Sequence, residues 1–334
     1  MNRYLRQIPT LLLCAALTLN AASCIYEDME PCPVEVRFVY DYNMQFADAF
    51  PRRVKDLRLY IFGQDGQLLD TRQASASEAF GENYRMDLQG LDPGTYTLVA
   101  WATDDAQAAT QTYAFDQSPA AGSQLTDMHL HIDDGQTRTG QCALYLPNLW
   151  HGWVKDFTIE PNQPALATVS LTQDIKRFRI LLQNGDGSRL AAADYSLSIT
   201  AANSRLDYDN SPMDSEPLRY TPHYTEEAVL DNGTDADRQT PLHALVAEMN
   251  TLRLTEGSET RFLVRNEREG RTLFDIDLLR YLELMRLEQY ADMPLQEYLD
   301  REDSYQIILL LGQDEHVISI QINQWIMVFN ETEL

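Results

Sequence analysis

The chain has 334 residues, and 51 acidic against 26 basic side chains leave a formal charge of −25 at pH 7. Proteins that bind the phosphate backbone of nucleic acid need clustered Lys and Arg, so this acidic balance excludes most nucleic-acid binders. Because 44% of the residues are apolar and 10% aromatic, the chain can bury a sizeable core and is not a disordered acidic tail.

Residues 1–23 have the layout of a secretory signal peptide. Arg3 and Arg6 supply the positive start, an apolar run over 11–19 follows, and small residues end the segment. The apolar run is shorter than the roughly 20 residues that a membrane-spanning helix needs. We therefore predict that this segment is removed and that the mature protein has no transmembrane helix.

Cys24 directly follows Ala21-Ala22-Ser23, an arrangement that resembles the bacterial lipobox. In a lipobox the cysteine thiol is acylated, with palmitate among the chains, and cleavage leaves this cysteine as the first residue. The acyl chains would hold the protein at a membrane surface. The alternative is an ordinary signal peptide with a cysteine at its end by chance.

An acidic patch follows Cys24, at Glu27, Asp28 and Glu30. It is similar to the export signals of surface-exposed lipoproteins in some Gram-negative bacteria. Together with the lipobox, it predicts a lipid-anchored protein on the outer face of the outer membrane.

Two further cysteines remain in the mature chain, at Cys32 and Cys142. In an exported protein they could form a disulfide, because export places them in an oxidising compartment. The alternative is two small buried thiols. The sequence leaves both open, since it does not show whether the two Cα atoms lie close enough.

Apolar residues alternate with polar ones along most of the chain, which predicts strands. In the first half we expect a hairpin with an Asp65-Gly66 turn, a type II turn at Pro93-Gly94, and an amphipathic strand around His129 and His131. The predicted strands lie at 34–42, 57–62, 67–70, 95–101, 128–132 and 142–146.

The pattern restarts at Ala165, after Pro161 and Pro164 interrupt it, so we place a domain boundary between residues 163 and 164. Residues 201–240 read as a long irregular excursion, and helical spacing predicts a helix within 274–290. Further strands are predicted at 166–171, 178–182, 195–199, 305–311, 317–323 and 325–329. The result is an all-β fold of two tandem β-sandwiches, 24–163 and 164–334, with one helical insertion in the second.

The sequence lacks the motifs Gly-x-Ser-x-Gly, His-Glu-x-x-His and Cys-x-x-Cys, a Walker loop and a dinucleotide-binding glycine motif. We therefore predict no enzyme and no cofactor. His129 and His131 share one face of a strand, and Asp133 and Asp134 follow them in the sequence. These four side chains could bind a metal. The apolar residues that alternate with them favour two solvent-facing histidines instead.

Two other clusters could bind small ligands. Asp231, Asp235 and Asp237 could hold calcium, although their spacing does not fit an EF-hand and an acidic chain produces such clusters by chance. Trp150 and Trp153 in LPNLWHGW could stack on a sugar ring. The favoured alternative is that these aromatic residues close one end of a sandwich core.

Several segments together resemble the FimB-type fimbrial anchor subunits, the lipoprotein base components of type V pili in anaerobic Gram-negative bacteria. The most specific segment runs from Cys32 through Tyr42-Asn43-Met44 to Phe50. The others are LRLYIFGQDGQLL, LYLPNLWHGW and EYLDREDSYQIILLL. In addition, the pattern from Leu91 to Leu98 resembles the strand entry of transthyretin-like β-sandwiches.

This resemblance implies two transthyretin-like sandwiches, held at the outer membrane by a lipid on Cys24, with fimbrial shaft subunits as partners. Anchor subunits of this family attach the fimbria and limit its length, and shaft subunits join by donor-strand exchange. We therefore hypothesise that a strand edge, such as the strand at 325–329, contacts the neighbouring subunit. The alternatives are a glycan-binding surface lipoprotein, a tip adhesin or minor shaft subunit, and a secreted enzyme.

Overall fold

The computed structural model describes residues 31–77, 79–137, 139–230, 242–312 and 315–328. The predicted signal peptide and Cys24 lie outside these ranges. In the first half, β1 (Val34–Val39) buries Val36 and Phe38 and leaves Arg37 between them half-buried, as the period-two pattern predicts. This strand pairs in parallel with β10 (Ala165–Ser170) and antiparallel with β4 (Arg85–Asp87).

A five-stranded sheet covers the other side of the first core, in the order β11-β9-β5-β2-β3. Its strands are β2 (Asp56–Phe62), β3 (Leu68–Ser75), β5 (Gly94–Thr103), β9 (Leu149–Ile159) and β11 (Thr172–Gln173). Phe38, Leu59, Leu98 and Val169 meet in one buried cluster, so the two sheets form a sandwich.

The predicted hairpin between β2 and β3 is confirmed, and Gly66 in its turn has a φ of 78°. The predicted type II turn at Pro93-Gly94 is wrong. That turn needs a positive φ at its third residue, whereas Gly94 starts β5 as an extended residue. Gly90, with a φ of 96°, is the residue that turns the chain into this strand.

The second half pairs a six-stranded sheet, ordered β16-β17-β12-β20-β21-β22, with a five-stranded one, ordered β19-β18-β13-β15-β8. Leu182, Ile199, Phe262 and Ile307 share its core. The six strands are β12 (Lys176–Asn184), β16 (Tyr224–Leu230), β17 (Leu242–Thr251), β20 (Ser304–Leu311), β21 (Val317–Ile322) and β22 (Trp325–Val328). The five are β8 (Gln141–Cys142), β13 (Tyr195–Ala201), β15 (Leu218–Tyr220), β18 (Thr260–Asn266) and β19 (Arg271–Asp277).

The described residues contain five α-helices: α1 (Phe50–Arg53), α2 (Ala106–Thr112), α3 (Asp134–Thr137), α4 (Leu278–Gln289) and α5 (Leu295–Arg301). The predicted helix is α4, which starts later than predicted because the residues before it form β19. Asp277 ends that strand and caps the helix by accepting from the N–H groups of Leu279 and Arg280, at 3.1 and 3.4 Å. The short helix α5 after Pro294 was not predicted.

A fifth sheet, of three short strands, lies between the two sandwiches. It consists of β14 (Arg205–Leu206), β7 (Leu130–Ile132) and β6 (Tyr113–Phe115), in that order. A third buried cluster extends from Trp101 in the first sandwich through Leu130 to Tyr220 in the second. The all-β prediction is therefore confirmed, and the two halves share a core that the sequence did not indicate.

Strand pairing departs from the predicted boundary at 163/164. β10 and β11 follow that boundary but pair with β1 and β9 of the first half, whereas β8 precedes it and pairs with β15. The chain therefore changes sheets at residues 174–175. The predicted irregular excursion over 201–240 is also partly wrong, because β14, β15 and β16 lie within it.

Candidate functional site

The loop between β1 and α1 contains the residues most specific to the anchor-subunit resemblance. Asp48 Oδ1 accepts from the N–H groups of Tyr40 and Phe50, both at 3.0 Å. Asn43 Nδ2 donates to the carbonyl oxygens of Tyr40 and Ala47, at 2.7 and 2.9 Å. These short-range bonds give the loop one defined shape.

This loop contacts α5 of the second half through Arg301. The guanidinium lies 4.2 Å from the centroid of the Tyr42 ring and 4.7 Å from that of Phe46. Its Nη1 also donates to the carbonyl oxygens of Asp41 and Asn43, at 3.1 and 3.3 Å. Arginine suits this position because its planar cation can stack on rings and donate several hydrogen bonds at once.

Buried charges within the second half hold α5, which carries Arg301, in place. Lys176 is fully buried, and its Nζ donates to the carbonyl oxygens of Asp300 and Glu302, each at 3.0 Å. Arg253 forms a two-bond ion pair with Asp300, at 2.7 and 2.8 Å. Burial lowers the pKa of Lys176 and raises that of Glu302 to about 7.

The two halves thus meet at a joint formed by the loop at 40–49, α5 and the crossing segment at 174–175. Sequence reasoning missed this joint and the buried charges beside it. Lys176 is one of only three lysines, and it stands at the start of an apolar strand with Asp174 two residues before it. That placement was a signal of buried charge, but its partners lie more than a hundred residues away in sequence. Nothing in the residues next to Arg301 indicated its contact with the loop at 40–49.

The C-terminal strand β22 is an open edge, as predicted. It pairs with β21 on one side, and no described strand covers its other side. Ile326 and Val328 are 60% and 66% exposed. An edge that exposes backbone hydrogen-bonding groups beside branched apolar side chains is suited to pairing with another strand.

The opposite edge of the same sheet is β16, which pairs with β17 alone among the described strands. Tyr224 and Val229 are exposed on it. Charged residues stand between them, because Glu226 accepts from the Tyr224 hydroxyl and Glu227 pairs with Arg189. Such charges protect an edge from pairing, so β22 is the better candidate for contact with a partner.

The favoured interpretation of Trp150 as a core residue is confirmed, and the alternative of a sugar platform is wrong at this residue. Trp150 is fully buried in β9, and its ring meets that of Tyr40 edge to face at 5.8 Å. His151 is buried beside it. Trp153 is partly exposed and packs edge to face on Tyr208 at 5.9 Å.

His131 in β7 and His129 just before it do not face solvent, contrary to the prediction. His131 is buried and His129 is half-buried, because β14 pairs with this strand and places Arg205 and Asp207 beside it. Nδ1 of His129 and of His131 lie 3.2 and 3.1 Å from the carboxylate of Asp116, which also pairs with Arg205.

No group of three or more His, Cys, Asp or Glu side chains among the described residues could hold a metal ion. The calcium candidates Asp231, Asp235 and Asp237 lie outside the described residues.

Cys32 and Cys142 are separate thiols in the structure. Cys32 Sγ donates to the carbonyl oxygen of Asn162 at 3.4 Å, near the start of β1. Cys142 is buried in the third cluster, where burial raises the pKa of its thiol. Cys32 itself is half-buried.

A cleft of about 320 Å³ opens between the outer face of β2 and β5 and helix α2. Tyr60, Trp101 and Phe115 supply aromatic walls, and Arg58 and Thr110 also line it. Its size is at the lower end of small-ligand pockets.

Among the described residues, no helix has both the length and the apolar sequence of a membrane-spanning segment.

Two sandwiches that meet through a hydrogen-bonded loop, with β22 as an open sheet edge, define a two-sandwich β-protein. The chain belongs to the family of fimbrillin-A associated anchor proteins Mfa1 and Mfa2, which it matches over residues 29–331. The family and the fold are those of structural fimbrial proteins and not of known enzymes. The anchor-subunit resemblance seen in the sequence is thereby confirmed.

Solved structures agree with this assignment. A proposed adhesin from Bacteroides thetaiotaomicron is 29% identical, with a TM-score of 0.78, over 91% of this chain and 100% of that one. A proposed polysaccharide-binding protein from the same organism is 31% identical, with a TM-score of 0.73 and the same coverage.

The fimbrial anchor protein Mfa2 from Porphyromonas gingivalis shares the fold at 18% identity. Its TM-score is 0.65, over 90% of this chain and 100% of that one. A comparison with curated protein sequences finds no match.

Proposed function

We propose that this chain is the lipid-anchored base subunit of a fimbria. The lipid on Cys24 holds it in the outer membrane, and β22 pairs with a strand of the neighbouring shaft subunit. By occupying the last position of the shaft, the subunit limits the length of the fimbria. Membership of the anchor family, the lipobox-like sequence and the open edge support this function.

The observation that carries the proposed contact is the exposure of β22. Residues 323 and 324 connect β21 to β22, so Ile322 and Trp325 flank a two-residue hairpin and form a hydrogen-bonded pair. Such pairs alternate along an antiparallel ladder. The N–H and C=O groups of Ile326 therefore point away from β21, toward the open side.

Replacing Cys24 with Ala tests the anchor. The variant has no thiol to acylate, so we expect its fimbriae to appear in the culture medium instead of on the cells. Cys32→Ala is the control, because it removes the nearby thiol outside the lipobox. Intact mass and membrane fractionation measure acylation. Retained fimbriae on cells that carry Cys24→Ala would contradict the proposal.

Ile326→Pro tests the strand contact. Proline removes one outward N–H group and leaves the inward hydrogen bonds to β21 in place, which is tolerated at a sheet edge. We expect detached or abnormally long fimbriae with Ile326→Pro and normal ones with Ile326→Ala, which keeps the N–H group. If the proline variant folds and its fimbriae are normal, or if deleting residues 324–334 has no effect, β22 is not the connector.

Glycan binding is a second candidate function, now placed at the cleft beside Trp101 and not at Trp150. Aromatic walls with polar groups near them are suited to a sugar ring. Ala109 lines the cleft, and Ala109→Trp would fill it. If the protein binds saccharides on a glycan array and this variant binds equally well, the cleft is not the site.

A further inference from the structure

The segment that crosses between the two sandwiches carries a buried carboxyl group. Asp174 is fully buried, and its backbone N–H donates to the carbonyl oxygen of Leu149 in the first half, at 2.9 Å. Its Oδ1 accepts from Nδ2 of Asn210 in the second half, at 2.8 Å. Asn210 is 5% exposed, so water has little access to this contact.

Each of these two side chains also has a polar atom that forms no hydrogen bond. Asp174 Oδ2 and Asn210 Oδ1 are both buried and unpaired. With an ionised Asp174 both atoms are acceptors, so neither can satisfy the other. One proton on Oδ2 satisfies both, because the resulting O–H can donate to Asn210 Oδ1 while Oδ1 still accepts from Nδ2.

The charged groups around Asp174 form their hydrogen bonds with other partners. Arg253 directs its guanidinium at the Asp300 carboxylate, and Lys176 directs its ammonium at backbone carbonyl oxygens. The Tyr113 hydroxyl donates to the Pro147 carbonyl oxygen at 2.7 Å. Burial is the main cause that raises the pKa of Asp174, to about 7, and Arg253 opposes this shift.

We propose that Asp174 carries a proton in the folded chain, and that its two-bond pair with Asn210 is a pH-sensitive lock between the two sandwiches. When the proton leaves, one hydrogen bond is lost and a buried carboxylate remains in the crossing segment. The Asp174–Asn210 contact is therefore strongest in mildly acidic surroundings. This inference concerns the joint alone and does not depend on the proposed anchoring role.

The sign of the pH dependence follows from the two states of the chain. An unfolded Asp loses its proton near pH 4, whereas folded Asp174 keeps it to about pH 7. The contribution of this group to stability therefore falls as the pH rises from about 4 to about 7, and it is constant above that range.

Asp174→Asn tests the lock, because an amide N–H takes the place of the carboxylic O–H and keeps both hydrogen bonds at every pH. The Tm of this variant minus that of the wild type should increase by roughly 5 °C between about pH 4.5 and 7.5, and then level off. Taking the difference cancels the other titrating groups. Asp92→Asn, at an exposed loop position, should show no such trend.

The opposite result would overturn the proposal. If Asp174 is an ionised partner of Arg253 and Lys176, Asp174→Asn is less stable than the wild type at every pH above about 5, since it leaves a buried positive charge unbalanced.

A second measurement needs no variant. In the wild type labelled with ¹³C at the aspartate carboxyl carbons, one carboxyl resonance should titrate near pH 7. If no aspartate resonance titrates above about pH 5.5, Asp174 is ionised and the lock does not exist.

Discussion

At the scale of single residues, the protein interior decides the charge state of several side chains at the joint. His151 is 2% exposed, and its Nε2 donates to the carbonyl oxygen of Tyr208 at 2.8 Å. The imidazole therefore stays neutral, and burial lowers its pKa to about 3. This histidine ties β9 of the first half to a loop of the second.

This burial predicts a loss of stability in acid. Unfolded histidine titrates near pH 6.5, so below that pH the unfolded chain takes up a proton that the folded chain refuses. The contribution of His151 should fall by about 2 kcal/mol between pH 7 and 5. His151→Gln keeps a donor and has no titration in this range, so urea unfolding of both proteins at the two pH values measures the effect. If the stability difference between the two proteins is the same at pH 7 and at pH 5, the folded imidazole takes up a proton as readily as the unfolded one.

At the scale of elements, close packing against β10 explains why β9 contains Gly152. A Cβ on Gly152 would lie 2.5 Å from the Ser170 carbonyl oxygen and 2.7 Å from the Val169 side chain. The lack of a side chain thus lets β10 approach β9 closely and turn the corner between the two sheets of the first sandwich.

Gly152→Ala should therefore lower the free energy of unfolding by about 2 kcal/mol, because backbone must move to admit the methyl group. Gly81→Ala is the matched control. It has open space around the added Cβ and no positive φ, so its effect should be close to zero. Denaturant unfolding compares the two variants. If the two variants are equally stable, β9 and β10 can move apart at little energetic cost.

At the scale of the whole molecule, the two sandwiches are not independent units. The first sandwich takes β10 and β11 from beyond residue 164, and the third cluster buries side chains from both halves. Arg301 and His151 add hydrogen bonds across the joint. The two halves are therefore expected to unfold together and not one after the other.

Fragments of the chain test this organisation. A fragment of residues 24–163 lacks β10 and β11, so β1 loses its parallel partner. We expect it to unfold without a cooperative transition, whereas a fragment of residues 24–174 should unfold cooperatively. Circular dichroism during urea unfolding distinguishes them. Equal midpoints for the two fragments would show that β10 is dispensable for the first sandwich.

The sequence by itself determined the parts of the fold that depend on neighbouring residues. The strand pattern of β1, the hairpin at Gly66, the presence of α4 and the edge strand β22 all follow from local alternation, turn chemistry or helical spacing. The lipobox-like sequence before Cys24 and the anchor-family resemblance were also readable without a structure, because both depend on residues close together in the chain.

Only the tertiary structure decided which strands share a sheet and which polar groups are buried. Alternation showed that residues 165–170 form a strand, but their pairing with β1 depends on a surface that is distant in sequence. In the same way, Trp150, His131 and Lys176 are buried by elements that pack across both faces of their strands. A period of two records that a strand has two faces, but what covers each face is set by long-range packing.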